Sequence, residues 1–285
     1  MMIESIYNAG YGIWNHLMEI AMTLFTVSPT AANGSVYATA NTLYTSISDI
    51  SVPIAIVFFL LAIFKDVVST PPDQQARRFL GDALKFGIMV GILINLWPIM
   101  GYIMQIADGI TDKFALGSAA SYQLTVSSDL HSVISELDQD VMFLSGEMWN
   151  HIKATIILLI ASMATFLIIV SSAVAVISCS FQRIIKPLAI LPLSSITIAM
   201  AAGSGDTSRV TTNYTKTFFG FCISGAFMVI CVKMGVSLGS GLIAFDMSAL
   251  TLTEKALYIS VQNAVIPLVI AGLIKSADSI IARFF

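Results

Sequence analysis

The stretch that decides how this chain is threaded through a membrane is RIIKPLAILPLSSITIAMAAGSGDTSR, residues 183–209. It is mostly apolar and almost long enough to cross a bilayer, yet Pro187 and Pro192 interrupt its first half. Each proline removes a backbone donor and bends the chain. Whether the stretch crosses or returns to the side it entered sets the orientation of every residue after it.

The composition indicates a membrane protein. The chain has 285 residues, of which 56% are hydrophobic and only 11% charged, and its mean hydropathy is +0.86. Soluble domains carry about 25% charged residues. We therefore predict an all-α, polytopic helical membrane protein. The N-terminal residues MMIESIYNAG lack the basic region of a cleavable signal peptide, so we expect the internal spans to direct insertion.

Five stretches are apolar enough to form transmembrane helices, which need about 20 residues. They are residues 50–64 with their flanks, 83–107, 152–181, 218–245 and 256–274. The predicted domains follow from them. These are an extracytoplasmic amphipathic helical region (1–48), two transmembrane helices with a basic cytoplasmic loop (49–107), an acidic extracytoplasmic helical loop (108–151), and three further transmembrane helices (152–285).

The distribution of positive charge distinguishes the two courses of 183–209, because Lys and Arg accumulate on the cytoplasmic side. If the stretch folds back, ten Lys and Arg lie inside and three, Lys113, Lys153 and Lys255, lie outside. If it crosses, the split is seven to six. We therefore predict a re-entrant hairpin at 184–203 on the cytoplasmic face, with the N-terminus outside and the C-terminus inside. A short sixth span with a proline kink is the alternative.

The first 25 residues form an amphipathic helix. The apolar stripe comprises Ile3, Ile6, Gly10, Ile13, Leu17, Ile20 and Leu24, widened by Tyr7, Trp14, Ala21 and Phe25. Asn8, Asn15, Glu19 and Thr23 lie on another face. No Lys or Arg occurs in residues 1–64, so packing on a neighbouring helix or subunit is favoured over binding to anionic lipid.

The loop 108–151 holds seven acidic residues and one basic residue. It also carries a heptad-like seam of Leu130, Ile134, Leu137, Val141, Leu144 and Met148. The seam predicts pairing with the N-terminal helix, either of the same chain or of a neighbouring one.

No motif for catalysis, nucleotide binding or metal binding occurs: GxxxxGK[ST], HExxH and CxxC are all missing from the sequence. We therefore expect no enzyme activity, no cofactor and no metal site. Lys233 is the one charge well inside a predicted span, where it would either line a polar lumen or extend to the interface. No carboxylate is expected deep in a span, which argues against a proton- or sodium-coupled transporter.

Two small-residue patterns, GIMVG and GVSLG, predict close approach of helices in a packed bundle or an oligomer. The residues concerned are Gly87, Gly91, Gly235 and Gly239.

The combination of these features resembles the TrbL-type polytopic inner-membrane subunit of conjugative type IV secretion systems, particularly the compact versions found in Gram-positive mobile elements. The resemblance covers most of the chain. Its sharpest part is Lys186-Pro187 with Pro192, followed by Gly203 and then Lys216 at the entry to the next span. The short tail after Ile274 differs from family members that have large C-terminal domains.

The resemblance implies a homo-oligomeric channel or scaffold subunit in the cytoplasmic membrane of a bacterium. Relaxase-bound single-stranded DNA would pass through the assembly, and separate ATPases would supply the energy. Membrane lipids would surround it. Arg183, Lys186, Arg209 and Lys216 would form a cytoplasmic contact surface for an ATPase or for strand phosphates, unless they only set the topology. Two other classes remain as alternatives: a small-solute permease or channel acting alone, and a membrane scaffold that conducts nothing.

Overall fold

The computed structural model describes residues 2–30, 34–69, 71–116, 123–137, 146–203, 206–241 and 249–284, and every regular element within them is helical. The helices are α1 (Met2–Thr26), α2 (Gly34–Ser48), α3 (Ser51–Ser69), α4 (Pro72–Ile94), α5 (Leu96–Ala115), α6 (Ser128–Leu137), α7 (Gly146–Ile190), α8 (Ser194–Ala199), α9 (Asp206–Gly241) and α10 (Leu252–Phe284). Short 3-10 turns at Leu191–Leu193 and Met200–Ala202 flank α8.

Four helical stretches of the described chain are long and apolar enough to cross a membrane. They are Ser51–Ser69, Trp149–Ala202, Thr207–Leu238 and Leu252–Ala277. The pair α4–α5 makes a fifth if it counts as one bent span. The expected all-helical, multi-span architecture is thus confirmed.

The predicted second span, 83–107, is not one straight helix. The axes of α4 and α5 differ by 72° at a break at Asn95. Pro98 contributes locally to the break, because it has no N–H to bond the carbonyl of Ile94 and its ring crowds that carbonyl, which favours a kink here. The Asn95 side chain instead donates to the Gly91 carbonyl at 3.0 Å.

The chain divides into two compact units. The first comprises Met1–Phe25, Phe114–Phe181 and Phe227–Ala277, and the second comprises Thr26–Lys113, Gln182–Ala226 and Asp278–Phe285. The core of the first unit is formed by α1 with parts of α7, α9 and α10; Trp14, Ile169, Val232 and Ile274 are almost fully buried in it.

The buried face of α1 is rotated from the predicted stripe toward the aromatic residues. It consists of Tyr7, Gly10, Tyr11, Trp14, Met18, Ala21, Met22 and Phe25. Ile13 and Ile20, which belong to the predicted stripe, are 38% and 39% exposed. The tyrosines are favoured inside because they bury a large apolar ring and their hydroxyls find partners on α10.

The heptad-like seam packs against α1 of the same chain over the part that is described. Leu130 and Val133 of α6 form a small apolar cluster with Tyr7 and Ile259. Glu136 of α6 also pairs with Lys255 of α10 at 2.9 Å. Val141 and Leu144 lie outside the described residues, and so do the side chains of Leu137 and Met148.

In the second unit, α3 and α4 form an antiparallel hairpin in which the rings of Phe59 and Phe86 stack with centroids 4.4 Å apart. The segment from Leu191 to Ala202 packs on α2, α3 and α4. Lys85 of α4 donates from Nζ to the carbonyl of Gly203, at 3.0 Å, where this segment ends.

The expectation that Pro187 interrupts the helical stretch is wrong. Helix α7 continues through Pro187 to Ile190, so the first seven residues of the predicted hairpin at 184–203 are its last turns. Pro187 gives up only one intrahelical bond, to the carbonyl of Arg183. Pro192 lies in the 3-10 turn Leu191–Leu193 that follows. The chain then reverses direction: the Tyr214 hydroxyl of α9 donates to the Ile190 carbonyl at 3.1 Å, and Phe221 lies beside Lys186.

Candidate functional site: a buried ion pair between α5 and α7

Arg183 is the most buried charged side chain of the described part of the second unit, with 2% of its surface exposed. Its Nη2 donates to Asp108 Oδ1 at 2.8 Å, and its Nη1 donates to the Val27 carbonyl at 3.1 Å. The two charged side chains are 1% and 9% exposed. One guanidinium therefore joins α7, α5 and the segment that follows α1.

Helix α9 makes room for this guanidinium with Gly225. A Cβ at this position would overlap Arg183 Nε and lie 2.5 Å from its Cζ. Cys222, one turn earlier on α9, is also buried in the second unit. The α9 side of the pair is thus formed by small or neutral groups.

Each charge is tolerated only because the other is present. Removing an ion from water costs several kcal/mol even after the protein relaxes, and an opposite charge in good geometry offsets much of that cost. Asp108 and Arg183 are 75 residues apart in sequence, so nothing in their local patterns indicates the contact. The sequence predicts a loop from Asp108 onward, whereas Asp108 is a buried residue of α5.

The four basic residues predicted to form one contact surface do not share one environment. Arg183 is interior, so that prediction is wrong for this side chain. Lys186 is half-buried, with Nζ 5.9 Å from the centroid of the Phe221 ring, a cation–π geometry. Arg209 and Lys216 are exposed on the first turns of α9. The predicted hairpin residues Pro187, Pro192 and Gly203 are all buried.

Lys233 donates from Nζ to the carbonyl of Leu116 at 2.6 Å. Leu116 directly follows the last residue of α5, where carbonyl groups are left unpaired and the helix dipole is negative. The ammonium group therefore binds a helix end in the first unit. The sequence predicts that Lys233 either lines a lumen or extends to the interface. Neither role includes a contact with a helix end.

The glycines of the two small-residue patterns also differ. A Cβ at Gly235 would overlap Ile270, so Gly235 lies at a close contact between α9 and α10. At Gly87 and Gly91 a Cβ would meet no atom within 4 Å, and both glycines are exposed on α4. The surroundings of Gly239 lie outside the described part of the structure.

Across the described residues, no group of three or more His, Cys, Asp or Glu side chains is placed to hold a metal ion. No protein-family model, curated protein or solved structure matches the chain.

Proposed function

We propose that this chain is an integral-membrane channel or scaffold subunit of a conjugative type IV secretion system, which supports the passage of a single-stranded DNA–protein substrate across the cytoplasmic membrane. The resemblance to TrbL-type subunits supplies the system. The multi-span helical architecture is of the kind that such a subunit requires. In this proposal the chain assembles with copies of itself and with separate ATPases in a bacterial membrane.

The observation that carries the proposal is that charges within apolar helices are held in structural contacts. Arg183 and Asp108 neutralise one another, and Lys233 binds the end of α5. Such fixed contacts stabilise a helical body, whereas a coupled transporter needs ionisable groups that bind and release ions along a pathway.

A groove of about 300 Å³ in the second unit bears on the permease alternative. Its lining comes from α2, the end of α7 and Pro192, and it includes Val36, Leu43, Ile185 and Leu188. Among the described residues, no charged side chain lines it. This groove is therefore unsuited to selecting an ionic solute, which needs a few well-placed polar or charged groups.

In the proposed topology the N-terminus is outside and the C-terminus is inside, and the turn between α7 and α9 lies at the cytoplasmic face. That arrangement keeps ten Lys and Arg inside against three outside. Lys186, Arg209 and Lys216 then remain as the cytoplasmic contact surface for an ATPase or for strand phosphates, and Arg183 belongs to the interior.

The function is tested by deleting the gene and measuring conjugative transfer and solute uptake in the same strain. We expect transfer to be lost, uptake to be unchanged, and the full chain to restore transfer. Complementation with the double variant Arg209→Gln/Lys216→Gln should restore transfer poorly at a normal membrane level. Lys275→Gln, exposed elsewhere in the chain, is the matched control. Normal transfer combined with lost uptake would instead establish the permease.

A further inference from the structure

Helix α1 lies among candidate spans. In the first unit its buried face contributes Trp14, Met18 and Phe25 to the core that α7, α9 and α10 build. At Gly10 the absence of a side chain lets α7 approach closely, since a Cβ there would lie 3.3 Å from Phe166 and 3.5 Å from Ile169. An extracytoplasmic helix resting on the membrane would not be enclosed by the spans in this way.

Helices α1 and α10 run in the same direction. The Tyr7 hydroxyl bonds Ser260 Oγ at 2.8 Å, and the Tyr11 hydroxyl donates to Asn263 Oδ1 at 2.9 Å. Ser260 and Asn263 lie inside the candidate span Leu252–Ala277. From Tyr7 to Phe25 the helix rises by about 27 Å at 1.5 Å per residue, close to the ~30 Å of a bilayer core. Helix α1 therefore accompanies α10 through most of its depth.

The end of α1 leads to the same conclusion. In the second unit the Val27 carbonyl accepts a hydrogen bond from Arg183, which lies near the C-terminal end of α7. In the proposed topology α7 runs from outside to inside. Val27 is then on the cytoplasmic half of the membrane, so the residue that directly follows α1 is not extracytoplasmic.

The outward surface of α1 is divided lengthwise into two stripes. The polar stripe consists of exposed Ser5, Asn8, Gly12, His16, Glu19 and Thr23. At 100° per residue these positions fall within an arc of about 80°. The neighbouring apolar stripe contains Ala9, Ile13 and Ile20, all exposed. A helix whose exposed surface meets only water does not require its exposed polar and apolar residues to lie in separate stripes.

Lipid solvates only one of these stripes. Ile13 and Ile20 suit acyl chains, but a carboxylate and an imidazole at membrane depth face a protein interior or a water-filled space. We propose that α1 crosses the membrane and that its polar stripe faces the same stripe of neighbouring copies of this chain across a water-filled passage. His16 of one copy is chemically complementary to Glu19 of the next. The proposal rests on the proposed function as an oligomeric membrane subunit, and it names α1 as the helix that lines the passage.

The crossing of α1 changes the expected course of residues 1–48 and of the α3–α4 hairpin, but not the charge balance. With Val27 inside, the split of ten to three is kept only if the whole α3–α4 hairpin, with Lys65, Arg77 and Arg78 near its tip, stays on the cytoplasmic side. Ser51–Ser69 is then a candidate span that does not cross, and the 72° bend at Asn95 lets α5 cross without α4. Helix α1 itself holds no Lys or Arg.

The test is cysteine accessibility in membranes that contain the full-length chain. Single cysteines replace Asn8 and Glu19 in the polar stripe and Ile13 and Ile20 in the apolar stripe. The probe is a charged, membrane-impermeant methanethiosulfonate. The unsubstituted chain is the background control, because Cys179, Cys222 and Cys231 are buried. We expect N8C and E19C to react, and I13C and I20C to resist this reagent while reacting with a lipid-soluble maleimide.

Three outcomes overturn the inference. Equal reaction at all four positions would mean that α1 lies outside the membrane. Protection of N8C and E19C would mean that the polar stripe is covered and lines no passage. A monomer by mass photometry would remove the second copy and would overturn the proposal as well. If deletion abolishes transfer yet E19C is unreactive, the proposed function stands and only the role of α1 fails.

Discussion

At the scale of single residues, Arg183 shows what local sequence can and cannot specify. Its neighbourhood, a basic residue before prolines at the end of an apolar run, is typical of a topology-setting charge at the cytoplasmic interface. The structure buries it because Asp108 and the Val27 carbonyl supply partners from distant segments. Burial of the charge therefore depends on tertiary contacts, which residue spacing in one sequence does not reveal.

Arg183→Ala is expected to lower the free energy of unfolding by about 3–5 kcal/mol, because it leaves the Asp108 carboxylate buried without its counter-ion. Asp108→Asn should destabilise for the converse reason. The measurement is denaturation in mixed SDS micelles, followed by circular dichroism.

The controls for this prediction separate a buried charge from lost packing. Arg209→Ala removes an exposed charge from α9 and should change the free energy of unfolding by less than about 1 kcal/mol. The double variant Arg183→Met/Asp108→Leu should be more stable than either single variant, since apolar replacement of a whole buried pair is often neutral. If Arg183→Ala leaves the free energy of unfolding unchanged, the buried ion pair between Arg183 and Asp108 is contradicted.

Gly225→Ala is expected to destabilise the chain by about 1–3 kcal/mol, because the added methyl group overlaps Arg183 and forces the guanidinium away from Asp108. Gly91→Ala is the matched control: it has open space and should change stability by no more than the helix-propensity difference of about 1 kcal/mol. The same unfolding assay compares the two. Equal effects would show that Gly225 has no special relation to Arg183.

At the scale of elements, hydropathy located the helices because apolar runs of this length have few alternatives in a membrane. It did not locate their ends or bends. Helix α7 runs past Pro187 because the loss of one backbone bond is smaller than the gain from packing Leu188 and Ile184, both buried. The predicted stripe of α1 was rotated because apolar periodicity ignores the hydroxyl partners that draw Tyr7 and Tyr11 inward.

The reversal between α7 and α9 gives a prediction at this scale. Asn213→Cys, exposed near the start of α9, should react with an impermeant thiol reagent only from the cytoplasmic side. Ala249→Cys, exposed just before α10, should react only from the outside. Labelling is measured in inside-out and right-side-out vesicles. Reaction of both positions from one side would mean that α9 does not cross.

At the scale of the whole molecule, the composition determined the class of protein, since water cannot solvate so apolar a surface. The arrangement of the helices around α1 depends on tertiary contacts, which the sequence pattern does not reveal. The sequence already separated Asn8, Glu19 and Thr23 from the apolar face of α1. The structure adds that Tyr7 and Tyr11 bond residues of α10 within the candidate span Leu252–Ala277, so α1 packs along a candidate span.

The most direct test is an electron cryo-microscopy image of the full-length assembly in lipid nanodiscs, viewed down its symmetry axis. We predict a ring of several copies around a water-filled axis, with α1 of each copy innermost. A single copy surrounded by lipid, or a ring whose axis is filled by apolar side chains or lipid, would contradict it.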